Sequence, residues 1–411
     1  MRHEMRIPVS ASRDLFVNER VDEVLQEAGP DRAPLDFHRR LPGYERTPVV
    51  ELPDVAAELG VGRLWVKDES SRFGLMSYKV LGASYAIYRA LCERLRAEPS
   101  WTDVNELVAS VDALKPLSLA VATGGNHGQA VARMARLFGF CARVYVPANT
   151  AAARIEAIER EGAVVTVVDG DYDDAVRRSA EDESDRCLVV SGTSSSGGEQ
   201  IARALIEGYS TIFWEVDDFF RDHSANGPDA VIVPVGVGTL AAASVRHYRR
   251  AEADTGVLLV GVEPLAANCV LESLRAGRLV TVPGPHNSVM AGLNCGTPSG
   301  LAWPWLSRGI DVVVGVGDHR AHEAMRRLAA AGIVAGEAGA AGLGGLYELR
   351  SGSGAAIGKT GLHADAEVLI VVTEGATDPV AYADIMRTTE RLPGSGPEHR
   401  LPGRLRGVHH R

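Results

Sequence analysis

Five cysteines in 411 residues are too few, and too scattered, to staple a fold. Cys92, Cys141, Cys187, Cys269 and Cys295 include no CxxC pair, which argues against both a zinc site and a secreted disulfide framework. The histidines do not cluster at ligand spacing either; His409 and His410 adjoin, but in the tail, so no metal is expected. No apolar run approaches the roughly 20 residues a membrane helix needs. Lys and Arg number 43 against 53 Asp and Glu, a formal net charge of −10, so nothing draws the chain to nucleic acid or anionic lipid. The opening MRHEMRIPVSASRDLF lacks an apolar core followed by a cleavage site, and the expected location is the cytoplasm. Cys269 and Cys295 both lie near expected strand ends and could pair, although a reducing compartment favours free thiols.

What is present is alternation. LSLAVA reads as a buried strand and HGQAVARMARLFG as the helix after it. ARVYVP, AVVTVVDG and CLVVS continue the strands, with ARIEAIEREG and YDDAVRRSAEDE as helices between them. The second half repeats the pattern with DAVIVPV, VLLVGVE, DVVVGV and EVLIVVTEG. Short Val-rich runs separated by helical periods imply parallel strands with helical crossovers. The expected class is α/β, with two doubly wound, mainly parallel sheets and a ligand cleft between two domains. A large domain is expected from 1–82 with 206–390 and a small one from 83–205, dividing near the helix EQIARALIEGYSTIFWEVDDFF. The Pro-, Gly- and Arg-rich tail, 391–411, is expected to be poorly ordered.

Open parallel sheets bind ligands beyond the carboxyl ends of their strands, so the loops there are the ones to inspect. ATGGNHGQ joins a strand to a helix, and the helix start presents unpaired N–H groups to an anion such as a substrate carboxylate. A tight turn with a packing histidine is the alternative. PVGVGTLAAA has Gly236 and Gly238 in place for a GxGxxG signature but Ala241 where the third glycine belongs. Glu263 ends the next strand, where a ribose-binding acid could sit, so a dinucleotide site is weakly suggested. A single phosphate held by Val237, Gly238 and Thr239 asks for less. Thr373, in VTEGATDP, offers a strand-end hydroxyl. Lys79 lies where a loop becomes a helix, among Tyr78, Val80 and Leu81. Most lysines are solvated, but a neutral lysine amine attacks aldehydes. A lysine, a monophosphate cradle and a carboxylate loop together suit pyridoxal 5'-phosphate.

The sequence resembles the fold-type II pyridoxal-phosphate enzymes, and within them the diaminopropionate ammonia-lyases. VKDESSRFGL, YKVLGASYA, GNHGQAVA, VYVPANT, DYDDAVR, EGYSTI, GVEP, MAGLNCGTPS, AGEAGAAGLGGL and TEGATDP carry the resemblance, from about Val49 to Pro379. It implies that Lys79 holds the cofactor covalently and acts as the base at the substrate α-carbon. Asn126 would bond the cofactor's phenolic oxygen. Gly236, Val237, Gly238 and Thr239 would hold its phosphate, and Thr373 would face its ring nitrogen. Thr123, Gly124, Gly125 and His127, with Asn126 between them, would grip the substrate carboxylate, and Ser77 could touch substrate or phosphate. The implied activity is α,β-elimination from a 2,3-diaminopropionate-like amino acid, giving a 2-oxo acid and ammonia, by a homodimer.

The chain departs from that pattern at two acids. Diaminopropionate ammonia-lyases typically read TDGNHG where this chain has Gly124, and carry an aspartate where it has Gly192. A cationic β-ammonium would lack its counter-charge here, and an unpaired buried charge is expensive. The expectation is an altered substrate with a neutral or anionic leaving group, or one larger than diaminopropionate. β-Replacement, a serine/threonine dehydratase activity, or a non-catalytic ligand-binding homologue are the alternatives, with a nicotinamide dehydrogenase remote.

Overall fold

A computed structural model describes residues 14–22, 29–191, 198–251, 253, 256–351 and 362–388. Gly192 and the tail over 391–411 lie outside the described residues.

Among the described residues eleven strands build two sheets: β1 Leu15–Val17, β2 Val49–Glu51, β3 Arg63–Asp68, β4 Ser118–Ala122, β5 Cys141–Pro147, β6 Val164–Val168, β7 Cys187–Val189, β8 Ala230–Pro234, β9 Leu258–Pro264, β10 Val312–Val316 and β11 Glu367–Val372. The larger sheet runs β1-β10-β9-β8-β11-β3-β2 and the smaller β6-β5-β4-β7. The smaller is parallel throughout; the larger is parallel except for β1 and β2, which close its edges antiparallel. The class is the expected α/β with mainly parallel sheets.

Both faces of each sheet are covered, and the two-residue period of a strand sorts the side chains. Leu64, Val66, Ile232, Val260, Val314 and Ile370 enter one core, while Trp65, Val231, Val233, Leu259, Val313 and Leu369 enter the core on the opposite face. In the smaller sheet Leu119, Val121, Val144 and Val146 face one core, and Ala120, Ala122, Tyr145 and Val189 the other. Burial on both faces is why these strands read as continuous apolar runs. The exception is β6, an edge strand with Val164 68% and Val167 54% exposed, although AVVTVVDG is as Val-rich as the central strands. Sequence composition does not distinguish an edge strand from a central one.

Three strands and one helix fall outside the alternation. β1 and β2 are three residues long, and β3 (RLWVKD) buries a lysine in mid-strand. The helix Glu337–Ser351 (EAGAAGLGGLYELRS) is buried on nearly every side, so no polar face marks its period.

Two helices place the site. Lys79–Leu95 and Glu199–Asp222 cross at Gly82 and Gly208. A Cβ on Gly82 would stand 2.5 Å from the Tyr209 ring, and one on Gly208 would stand 2.5 Å from the Leu81 carbonyl oxygen. The absent side chains let the two backbones touch. Along Glu199–Asp222, Ile201, Ala204 and Leu205 pack with the smaller sheet's core; Ile206, Tyr209, Ile212 and Phe213 pack with the larger sheet's.

A buried ionic cluster ties the same helix to β3. Lys67 Nζ lies 2.6 Å from Glu215 Oε2 and donates to the Thr47 carbonyl at 2.8 Å. Arg72 Nη2 lies 2.7 Å from both Glu69 Oε1 and Glu215 Oε2. Two cations and two carboxylates are thus matched inside the fold, as buried charges must be.

Candidate active site

A cavity of about 780 Å³ opens at the carboxyl ends of β4, β5, β8 and β11. Residues from separate parts of the chain line it, among them Ser77, Lys79, Asn126, Gly238, Thr239 and Thr373.

Lys79 is the first residue of its helix. The preceding segment is pinned to the end of β11: Ser77 bridges Glu374, the Tyr78 N–H donates to the Thr373 carbonyl at 3.2 Å, and the Gly375 N–H donates to the Met76 carbonyl at 3.0 Å. The Lys79 amine therefore stands beside the β11 terminus, with its Nζ 4.8 Å from the centre of the Tyr78 ring and 5.9 Å from that of Tyr209. The Ser77 hydroxyl accepts the Lys79 backbone N–H at 3.4 Å.

In the loop after β4, Thr123 Oγ1 accepts the N–H groups of Gly125 at 2.9 Å and Gly128 at 3.1 Å. The Thr123 hydroxyl thus shapes the loop as well as lining the cavity. Asn126 opens the helix Asn126–Phe138, and its Nδ2 donates to Glu374 Oε2, whose other oxygen accepts the Ala338 N–H at 3.2 Å. His127 bonds the Val190 carbonyl through Nε2 at 3.1 Å, so Nε2 carries the proton and Nδ1 is the acceptor. Nδ1 is buried and has no partner. Burial, reinforced by the charge of Lys79, depresses the His127 imidazole to about 4, which keeps it neutral near pH 7. A Cβ on Gly124 would touch only the Ala291 carbonyl oxygen, at 3.8 Å, so the missing acid leaves open space rather than a filled one.

The loop after β8 runs through Gly236, Val237 and Gly238 into the helix Thr239–Tyr248. Gly238 has φ +94°, and a Cβ there would stand 2.4 Å from Leu306 Cδ1. The Val237 carbonyl accepts the Ser299 N–H and the Gly238 carbonyl accepts the Ala242 N–H, both at 2.8 Å. Among the described residues no backbone carbonyl takes the N–H groups of Gly238, Thr239 or Leu240, the arrangement an anion at a helix start requires. Thr373 is buried at the end of β11 and its hydroxyl donates to the Ala338 carbonyl at 3.4 Å.

One expectation changes, and the favoured state of the thiols holds. Glu263 is no ribose ligand: its oxygens accept the Val270 and Leu271 N–H groups, each at 2.8 Å, at the start of the helix Cys269–Ala276. Burial pushes this carboxyl up to about 8 despite those bonds. It does not line the cavity, and the dinucleotide reading falls with it. Cys269 and Cys295 are free thiols, as are the other three cysteines; burial pushes Cys295 up to about 12. The Gly192 position lies outside the described residues. Among the described residues no cluster of His, Cys, Asp and Glu could hold a metal, and no helix is long and apolar enough to cross a membrane.

Several lining residues have no mark in the sequence. Tyr209 arrives from a helix more than a hundred residues away, and Arg154 from the helix after β5. Glu374 directly follows Thr373 at the end of β11, and the position of ligands beyond strand ends is the signal that marks it.

The family described as pyridoxal-phosphate dependent enzyme matches residues 40–374. Diaminopropionate ammonia-lyase of Salmonella typhimurium is 33% identical over 372 residues, 86% of this chain and 90% of that protein. Holo diaminopropionate ammonia lyase from Escherichia coli superposes with a TM-score of 0.84 at 31% identity, covering 91% of this chain and 96% of the other. The Escherichia coli enzyme in complex with an aminoacrylate-PLP azomethine reaction intermediate gives 0.82 at 30% identity, with the same coverage.

Proposed function

The chain belongs to the pyridoxal-phosphate dependent enzymes, and we propose that it catalyses α,β-elimination from a β-substituted amino acid, giving a 2-oxo acid and ammonia. The observation that carries this reading is the shared cavity: the Lys79 amine, the glycine loop 236–239 and the Asn126 helix start all open into it.

The residues present fit the cofactor. The loop at 236–238 is a cradle that side chains would fill, since a Cβ on Gly236 would stand 3.3 Å from Cys295 Sγ and one on Gly238 would strike Leu306. The unmatched N–H groups of Gly238, Thr239 and Leu240 suit a phosphate, Lys79 suits an aldehyde, and Asn126 and Thr373 would supply polar contacts for the ring. When bound, the cofactor draws electron density from the substrate's α-carbon.

The chain's own groups do the rest. The start of the helix Asn126–Phe138 receives the substrate carboxylate, with Gly124, Gly125 and the Thr123-braced loop holding it in place. His127 Nδ1 offers an acceptor to the substrate. The Lys79 amine would take the α-proton. Tyr78 and Tyr209 flank that amine with their ring faces. Ser77 holds the Lys79 backbone, so the base returns to one position.

The open space at Gly124 favours a substrate other than one with a cationic β-substituent, because no carboxylate stands there to meet the cation. β-Replacement on the same scaffold is the second reading, supported by the same room. The division into 1–82 with 206–390 and 83–205, a homodimeric state and a cytoplasmic location complete the proposal. The division follows the break between the two strand series near the helix Glu199–Asp222, the homodimeric state is what the family resemblance implies, and the free cysteines fit the last.

Borohydride treatment of the loaded protein tests the reading. The cofactor's mass is expected on the peptide carrying Lys79, and Lys79→Ala is expected to lose both that mass and pyruvate formation. Attachment at another lysine would overturn it.

A further inference from the structure

Arg154 is a buried cation in the active-site cavity without a matching anion. It is 8% exposed, lines the cavity and lies on the helix Ala152–Glu159. Its Nη1 donates to the Gly124 carbonyl at 3.5 Å, the long limit of a hydrogen bond, and its Nε has no partner. It makes no ion pair with any carboxylate among the described residues. Its stem is fixed against the loop, since a Cβ on Gly125 would stand 3.0 Å from Arg154 Cδ.

The other arginines buried this deeply near Glu215 and Asp311 are matched: Arg72 to Glu69 and Glu215, Arg249 to Asp311. The acids around the cavity are engaged elsewhere. Glu374 accepts from Asn126 and the Ala338 N–H. Asp378 accepts the Val380 and Ala381 N–H groups at 3.1 Å, and Asp171 accepts the Asp174 N–H at 3.1 Å. Glu337 also lines the cavity; burial raises its carboxyl, the Arg154 charge is among the causes that oppose the rise, and the two form no ion pair. A guanidinium kept in a cavity at this desolvation cost implies an anion that arrives with the ligand.

We propose that Arg154 is the specificity residue for the β-substituent: the substrate is a 2-amino acid whose β-leaving group is an anion, a phosphate or carboxylate ester, seated against Arg154 in the space beside Gly124. The α-carboxylate already has the start of the helix Asn126–Phe138, so the guanidinium serves the second anionic group. This rests on the elimination reading. The α C–H bond breaks and its proton goes to the Lys79 amine. The Cβ–O bond breaks with its electron pair leaving on the ester oxygen. Water then replaces the nitrogen, giving pyruvate, ammonia and the free anion.

The test measures kcat/KM of the loaded enzyme for O-phospho-L-serine, O-succinyl-L-serine, neutral O-acetyl-L-serine and cationic L-2,3-diaminopropionate. The wild-type enzyme is expected to favour the anionic pair, and the better of the two identifies the ester. Arg154→Gln is expected to lower the anionic-to-neutral ratio by roughly 30-fold, the worth of a charged hydrogen bond, and Arg154→Lys to recover part of it. Amino-acid titrations followed by visible absorbance accompany the kinetics, so a variant that has lost its fold or its cofactor is seen as such. An equal fall for all four substrates, or a wild-type preference for the cation, overturns the assignment. Failure of every amino acid to change the absorbance would instead sink the elimination reading itself.

Discussion

Gly238 is the residue on which the phosphate cradle turns. Its φ of +94° lies where a side chain costs about 1–2 kcal/mol, and a Cβ would also strike Leu306. The left-handed turn leads the chain into the helix start, where the N–H groups of Gly238, Thr239 and Leu240 have no backbone partners. Gly238→Ala is therefore expected to weaken pyridoxal-phosphate binding about tenfold and to lower the melting temperature of the loaded protein. Unchanged values for both would show that the loop tolerates the side chain and that the phosphate sits elsewhere. His127 makes a related point about single residues. Its Nε2 is committed to Val190, so only Nδ1 remains for a ligand.

At the scale of elements, the crossing of Lys79–Leu95 and Glu199–Asp222 fixes the base. Gly208 packs on the Leu81 carbonyl, and Tyr209, its neighbour, is one of the two rings beside the Lys79 amine. Adding a methyl group at Gly208 must separate the helices. Ala favours a helix over Gly by roughly 1 kcal/mol, while overpacking costs about 1–3 kcal/mol. Gly208→Ala is expected to be a net destabilisation, read as a lower denaturation midpoint, together with a reduced kcat because Tyr209 shifts from Lys79. A gain in stability would mean the crossing has slack. The glycine-rich helix Glu337–Ser351 follows the same rule, lying close on the larger sheet, where a Cβ on Gly345 would meet Val262 at 2.4 Å.

Across the whole molecule, buried titrating groups set the acid limit. Burial holds His38 at about 3 and His127 at about 4, against an ordinary value of 6.5. Both are neutral in the fold, while the unfolded chain takes up their protons below pH 6.5. Their contribution to stability is fully present above 6.5 and is lost as pH falls from there toward about 4 and about 3. Two such groups give a slope approaching about 2–3 kcal/mol per pH unit. Burial raises Glu215, but Lys67 and Arg72 outweigh it and hold the carboxyl at about 2, so its contribution goes at lower pH still. Urea denaturation at pH 7, 5.5 and 4.5 is expected to show the falling stability, and a flat profile would contradict the burial of both imidazoles.

The sequence by itself determined the alternation of strand and helix, the sheets' parallel character and the loops that end β4, β8 and β11, because each rests on neighbours in the chain: a Val-rich run, a helical period, a glycine turn. The same local chemistry singled out Lys79 and the 236–239 loop, while Asn126 was implied by the family resemblance. Only the tertiary structure decided what stands beside them. Asn126 meets Glu374 across 248 positions, and Arg154 reaches the Gly124 carbonyl from a different helix. Glu263, at a strand end that invites a ligand, turns instead to cap a helix. Burial and partnership of charge are properties of packing between distant segments, and one-dimensional order does not carry them.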